Sequence, residues 1–151
     1  DWYRKLFEPS VMSGILEAKH LAGYRSWPVF IRYARHVPPS YESVRDSLPV
    51  FFDLISSHQE AAVRAVLGHF IFVYIHPYGD GNGRMARFLM NSMLASGGYP
   101  WTVIHVDDRD SYMVALEQAS VNGNIKPFAD FIGTAVQKQM DKVSAVSRFR
   151  P

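Results

Sequence analysis

Cysteine is absent from all 151 residues, which excludes disulfides and thiolate metal sites. That absence suits a reducing compartment, and a cytoplasmic location is the expectation. Long apolar runs are lacking too. The longest, Val66 to Ile75, is interrupted by Gly68 and His69 and is too short to span a bilayer. No signal-peptide pattern opens the chain, so no membrane partner is expected. Charge of one sign is scarce. The formal net charge of +2 is too small to argue for nucleic acid, and no direct nucleic-acid partner is expected of this stretch. Repeats and low-complexity segments are missing as well. His20, His36, His58 and His105 show no metal-ligand spacing, so no zinc site is expected. What remains is a chain that is 48% apolar and 20% charged, a globular composition of a length that suits one domain.

The apolar periodicity predicts a mainly α fold with a buried central helix and one small β-hairpin. Residues 1–22 read as an N-terminal helical segment, 23–140 as the core domain, and 141–151 as a tail leading to a missing region. Trp27, Val29, Ile31 and Tyr33 alternate as in a strand, which Pro28 confines to an edge. His36 to Pro39 reads as an extended connector. Val44, Leu48, Phe51, Phe52 and Ile55 share one helix face, with Pro49 expected to kink or restart it. Glu60 to Ile75 is apolar nearly all round and reads as the buried central helix. Arg84 to Ser96 resumes the helix and stops at Gly97-Gly98. Asp107 or Asp108 is placed to cap the next helix, which carries Tyr112, Ala115, Leu116 and Ala119. Pro127 sits near the start of a last helix whose core face is Phe128, Phe131, Ile132, Ala135 and Val136.

The chemistry is concentrated in His76-Pro77-Tyr78-Gly79-Asp80-Gly81-Asn82-Gly83-Arg84-Met85-Ala86-Arg87. Alternating glycines let the backbone turn tightly and present its N–H groups. The helix that follows has unpaired N–H groups and a positive dipole end, which makes an anion site. Arg84 and Arg87 lie at i and i+3 and share a face near that helix start. Asp80 is a hard carboxylate, intelligible beside a polyphosphate if Mg2+ lies between them. His76 ends the buried helix at the mouth of the loop, with an ordinary pKa near neutrality, so it can accept a proton. A phosphate cradle, a metal carboxylate, two arginines and a base are the parts that phosphoryl-type transfer needs. The P-loop pattern and the G-x-G-x-x-G pattern are both absent.

This stretch resembles the signature of the Fic family, H-x-F-x-[DE]-G-N-G-R-x-x-R, with Tyr78 standing where the family usually has Phe. The likeness extends from about Gly23 to about Phe131. It implies the Fic fold, a helical bundle around a central helix–loop–helix with a small β-hairpin flap, and a protein adenylyltransferase that moves AMP from ATP, the co-substrate, onto a Ser, Thr or Tyr hydroxyl. By the same resemblance His76 would be the general base and Asp80 would hold Mg2+. Gly81, Asn82 and Gly83 would bind phosphate through backbone N–H groups, with the Asn82 side chain helping. Arg84 and Arg87 would hold the β- and γ-phosphates. Gly23-Tyr24-Arg25 and the following edge strand look like the family's target-docking flap, with Val29, Phe30 and Ile31 in the docking edge. Arg109 to Leu116 looks like the border of the adenine pocket, with Tyr112 as a wall. The family often has an asparagine near the end of that helix. Asn122 is near that place but displaced, with Ser120 or Val121 as alternatives.

Other residues take plainer readings. His69 shares a helix face with His76 and reads as a hydrogen-bonded core histidine. Ser13 to Ala18 partly fits the family's inhibitory S/T-x-x-x-E-G/N motif, but Ala18 replaces Gly or Asn, so Glu17 reads as an ordinary solvated glutamate. Restraint by a partner or by a segment outside Asp1 to Pro151 stays open, as does a homodimer. Competing functions are transfer or removal of another group, such as UMP or phosphocholine, and nucleotide binding without catalysis. The intact His76 argues against the last.

Overall fold

The structure, a computed structural model, describes residues 2–18 and 23–147. His20 and the outer ends of the expected segments 1–22 and 141–151 lie outside the described residues. Among those described, the fold is carried by α1 (Trp2–Met12), α2 (Tyr41–Ser57), α3 (Ala61–Ile75), α4 (Asn82–Ser96), α5 (Arg109–Asn122) and α6 (Lys126–Ser147). No described helix is long and apolar enough to cross a membrane.

The centre of the bundle is α3, packed most extensively on α4 and touching α2, α5 and α6. Its buried residues Ala61, Ala65, Gly68, Phe72 and Ile75 recur at spacings of four and three, one stripe of a helix. A Cβ added at Gly68 would lie 2.8 Å from the tip of Met93, so glycine lets α4 come close here. The sequence reading of α3 as apolar on nearly all sides is softened at its edges, where Val63 and Tyr74 remain partly exposed. In α2 the buried face is Val44, Leu48, Phe51 and Ile55. Pro49 does not restart this helix. It lies exposed within one continuous element, and the buried stripe on either side keeps a single register.

Short chemical devices end the helices. The α4 helix stops at Gly97, and Gly98 follows at φ 78° while the Tyr99 N–H closes on the Leu94 carbonyl at 3.0 Å. A single 3-10 turn, Val106–Asp108, leads into α5. Asp108 occupies the N-cap of α5, but its side chain makes no capping hydrogen bond. Phe128, Ile132 and Val136 of α6 are buried, with Phe131 packed beside them. This helix passes residue 140 without a break.

The largest departure from expectation is the flap. No strand forms among the described residues, so the predicted hairpin over Trp27 to Tyr33 is corrected to irregular chain. Alternating bulky side chains favour extension, but a ladder needs a second strand alongside, and the fold provides none there. After residues 28–31 the chain turns, with the Ala34 N–H on the Ile31 carbonyl at 3.1 Å and Tyr33 at φ 64°. Phe30 and Tyr33 stand 80% and 81% exposed.

Candidate active site

The glycine turn is held from below by α1. Tyr3 and Phe7, one helical turn apart, are both buried and both reach the loop. The Tyr3 ring stacks on Tyr78 at 3.6 Å and 3° between planes, and its hydroxyl donates to the Asp80 carbonyl at 3.0 Å. Tyr in place of Phe at 78 therefore still serves as the anchoring ring. Burial pushes its hydroxyl pKa up to about 12, so it stays neutral. Gly81 is the N-cap of α4 at φ 80°, and a Cβ there would fall 2.3 Å from the Phe7 ring. Of the three alternating glycines, it is the one whose backbone requires the residue. Gly83 already lies inside α4.

Asn82 is buried and works within the loop. Its Oδ1 accepts the Tyr78 N–H at 2.9 Å and its Nδ2 donates to the Tyr78 carbonyl at 2.8 Å. The amide thus clasps the turn through one of its two N–H donors, a structural duty that stands beside the expected phosphate contact. Asp80 and Arg84 form an exposed i,i+4 pair at 2.9 Å, a weak interaction that a ligand can displace. The Arg84 guanidinium also lies over the Phe7 ring, 4.3 Å from its centroid. No cluster of three or more His, Cys, Asp or Glu able to hold a metal occurs among the described residues. A single half-exposed carboxylate fits Mg2+ shared with substrate phosphates, the usual mode for that ion, rather than an all-protein cage.

Above the loop opens a cavity of about 450 Å³, within the range of small-ligand sites. Its base holds His76, Gly83 and Arg87; one wall is Ile31, Arg32 and His36, the other Tyr112, Leu116, Glu117 and Ser120 of α5. Ile104 and His105 close a side, where a buried amide clasp between Asn91 and Thr102 pins their segment to α4. His76 has φ 52° and ψ 59°, a left-handed conformation rare outside glycine. Its Nδ1 lies 3.2 Å from the Val73 carbonyl. A carbonyl only accepts, so Nδ1 carries the proton and Nε2 keeps a free lone pair. Burial pushes the His76 pKa below its ordinary value; the Val73 contact opposes this, and the charges of Arg25 and His36 add to it. The ring is therefore neutral and basic near neutrality.

The structure brings five of the predicted residues to one cavity, with Asp80, Gly81 and Asn82 in the turn outside its lining. His76, Gly83, Arg87, Tyr112 and Ile31 line the cavity. Arg84 does not, but with Arg87 it borders a shallower hollow beside Phe88 and Trp101. Asn122 is corrected: it is exposed, bonds Gln118 at 2.9 Å, and is not in the cavity, whereas Ser120 is. Two residues on a helix are about 200° apart, so a displacement of two reverses the face. Phe30 also stays outside, exposed, and Val29 is half-buried away from the lining. Residues overlooked in the sequence include Tyr3 and Phe7 under the loop, and Glu117, whose Oε1 accepts the Arg35 N–H at 2.8 Å across the cavity mouth. The i,i+4 aromatic pair was the available signal for the first two; Glu117 had none.

The end of α3, the glycine turn and the start of α4 thus meet at one cavity of an α-helical domain. Residues 3–94 match the Fic/DOC family model, and the chain belongs to that family. A protein adenylyltransferase Fic from Nematostella vectensis is 37% identical over 132 residues, covering 85% of this chain and 30% of that protein. One from Drosophila willistoni is 36% identical over 110 residues, covering 70% and 22%. The chain thus spans less than a third of these relatives. Fic-1 from C. elegans has the same fold, with a TM-score of 0.78 at 23% identity over 93% of this chain and 42% of that one. A Fic-domain signaling protein from Bacteroides thetaiotaomicron gives 0.68 at 28% identity, covering 75% and 50%.

Proposed function

We propose that this domain is a protein adenylyltransferase, moving AMP from ATP to a Ser, Thr or Tyr hydroxyl of another protein. The observation that carries the reading is the fixed tautomer of His76 in the same cavity as Arg87 and the start of α4. The target hydroxyl gives its proton to His76 Nε2 as its oxygen bonds the α-phosphorus. The bond from that phosphorus to the bridging oxygen breaks, and pyrophosphate leaves with the electron pair. Backbone N–H groups of Gly81, Asn82 and Gly83 face the growing phosphate charge. Arg87, and Arg84 once released from Asp80, neutralise the leaving phosphates. Mg2+ held by Asp80 and phosphate oxygens would supply further charge neutralisation. Tyr112, Leu116 and Ser120 would receive the base.

The flap segment presents the target. Residues 28–31 belong to no helix or strand, and a target chain can pair on their backbone by β-augmentation. Replacing Val29 and Ile31 by Pro should then stop transfer to protein while ATP still binds; unchanged transfer rejects the docking role. The central test is incubation of the domain and His76→Ala with α-labelled ATP, magnesium and a lysate. Labelled bands should fall by about 100-fold or more in the variant. Equal labelling from both proteins rejects the assignment.

A further inference from the structure

Arg25 is the one arginine or lysine buried among the described residues, at 3% exposure, and it makes no ion pair there. Its guanidinium donates to backbone carbonyls instead. Nε reaches the His76 carbonyl at 2.8 Å, Nη1 the Trp27 carbonyl at 3.3 Å, and Nη2 the Pro39 carbonyl, with Ile75 at 3.4 Å. Its own N–H donates to the Pro77 carbonyl at 2.8 Å. Two of these acceptors, Ile75 and His76, belong to the C-terminus of α3, where unpaired carbonyls and the negative dipole end favour a cation. Together with the charge of the nearby Glu42 carboxylate, that accounts for a buried charge held without an ion pair. The other two, Trp27 and Pro39, bracket the flap segment, Trp27 at its start and Pro39 at the end of the connector that follows it.

We propose that Arg25 is a positioning residue which locks the left-handed His76 backbone and both ends of the flap segment into one body. The base and the docked hydroxyl then keep one spacing. A planar fork can serve three segments at once, whereas a lysine ammonium on a flexible stem cannot hold them in register. The inference rests on the proposed adenylyltransferase reading, because it assigns the base to His76 and docking to the flap.

The test compares wild type, Arg25→Lys, Arg25→Gln and His76→Ala, each checked by thermal melting and by ATP binding. Arg25→Lys should bind ATP normally and lose kcat for protein transfer by about ten- to a hundredfold, the scale of a misplaced reacting group. The pH profile separates positioning from mere folding. The groups acting on the His76 ring are Arg25 and His36 from the flap segment, Asp80 from the loop and the Val73 carbonyl of α3; Arg87 of α4 shares its cavity. Arg25 favours the neutral ring. Its removal in Arg25→Gln should move the acid limb of the rate to higher pH, while Arg25→Lys leaves the limb in place. A folded Arg25→Lys with wild-type kcat, or an unmoved limb in Arg25→Gln, overturns the proposal. Wild type needs no variant to fold, and its Arg25 Nε–H should exchange slowly with solvent; exchange as fast as that of the exposed Arg32 also overturns it. If wild type labels protein no better than His76→Ala, the adenylyltransferase reading fails instead, and proton exchange alone decides the brace.

Discussion

At the scale of single residues, two constraints suit His76 to the base role proposed for it. Its backbone is left-handed, at a cost on the order of 1 kcal/mol for a non-glycine residue, and its Nδ1–H is committed to Val73. Burial lowers its pKa, so the active neutral form persists to more acid pH than for an ordinary imidazole. The acid limb of kcat/KM should therefore lie below about 6.5. A rate profile with its limb at or above that value would contradict the assignment. The glycines separate in a similar way. Gly81→Ala forces a side chain onto the Phe7 ring at positive φ and should cost about 2 kcal/mol in denaturant unfolding. Gly83→Ala meets nothing nearer than Arg87 Nη1 at 3.5 Å and should change stability by less than about 0.5 kcal/mol. Equal costs at the two positions would show that the cradle is not built as described.

At the scale of elements, the catalytic turn is a local motif resting on a distant helix, and the two halves differ in legibility. The stretch from His76 to Arg87 is contiguous, so residue types and spacing suffice to read the glycine turn and the helix that follows it. Helices α2 to α6 show through their periodic apolar faces, such as Val44, Leu48, Phe51 and Ile55. The flap was not legible because pairing depends on a neighbour that alternation alone cannot supply. Asn122 failed because the face a helix turns inward is set by tertiary packing. The clasp made by Asn82 was not foreseen, since a local clasp and a ligand contact call for the same amide. The bond from Tyr3 to Asp80 joins residues 77 apart in sequence, which no local pattern encodes. That long contact makes α1 the floor of the site. Phe7→Ala should remove the surface under Gly81 and Arg84 and destabilise the domain by about 3–5 kcal/mol in denaturant unfolding. A loss below about 1 kcal/mol would mean that α1 does not support the loop.

At the scale of the whole molecule, the interior is organised around neutral polar groups. His69 is fully buried in α3, with Nε2 at 2.8 Å from the Tyr112 hydroxyl and Nδ1 without a hydrogen-bond partner. Burial, with help from the Arg87 charge, lowers its pKa from 6.5 to about 3, while Tyr112 rises to about 12. The pair is thus uncharged throughout the working range, and it joins α3 to α5 behind the cavity. The consequence for stability has a definite sign. In the unfolded chain His69 takes up a proton near 6.5; in the folded chain it does not until about 3. Between those values the unfolded state binds more protons, so stability falls as pH is lowered through that window. His76, also lowered, adds a smaller effect of the same sign. Folding stability of wild type should therefore decline steadily from about pH 6.5 toward about pH 4. His69→Gln can still bond the Tyr112 hydroxyl but cannot titrate, so its melting temperature should fall less steeply over the same interval. Parallel slopes for the two proteins would mean that acid sensitivity resides in the carboxylates and not in this buried ring.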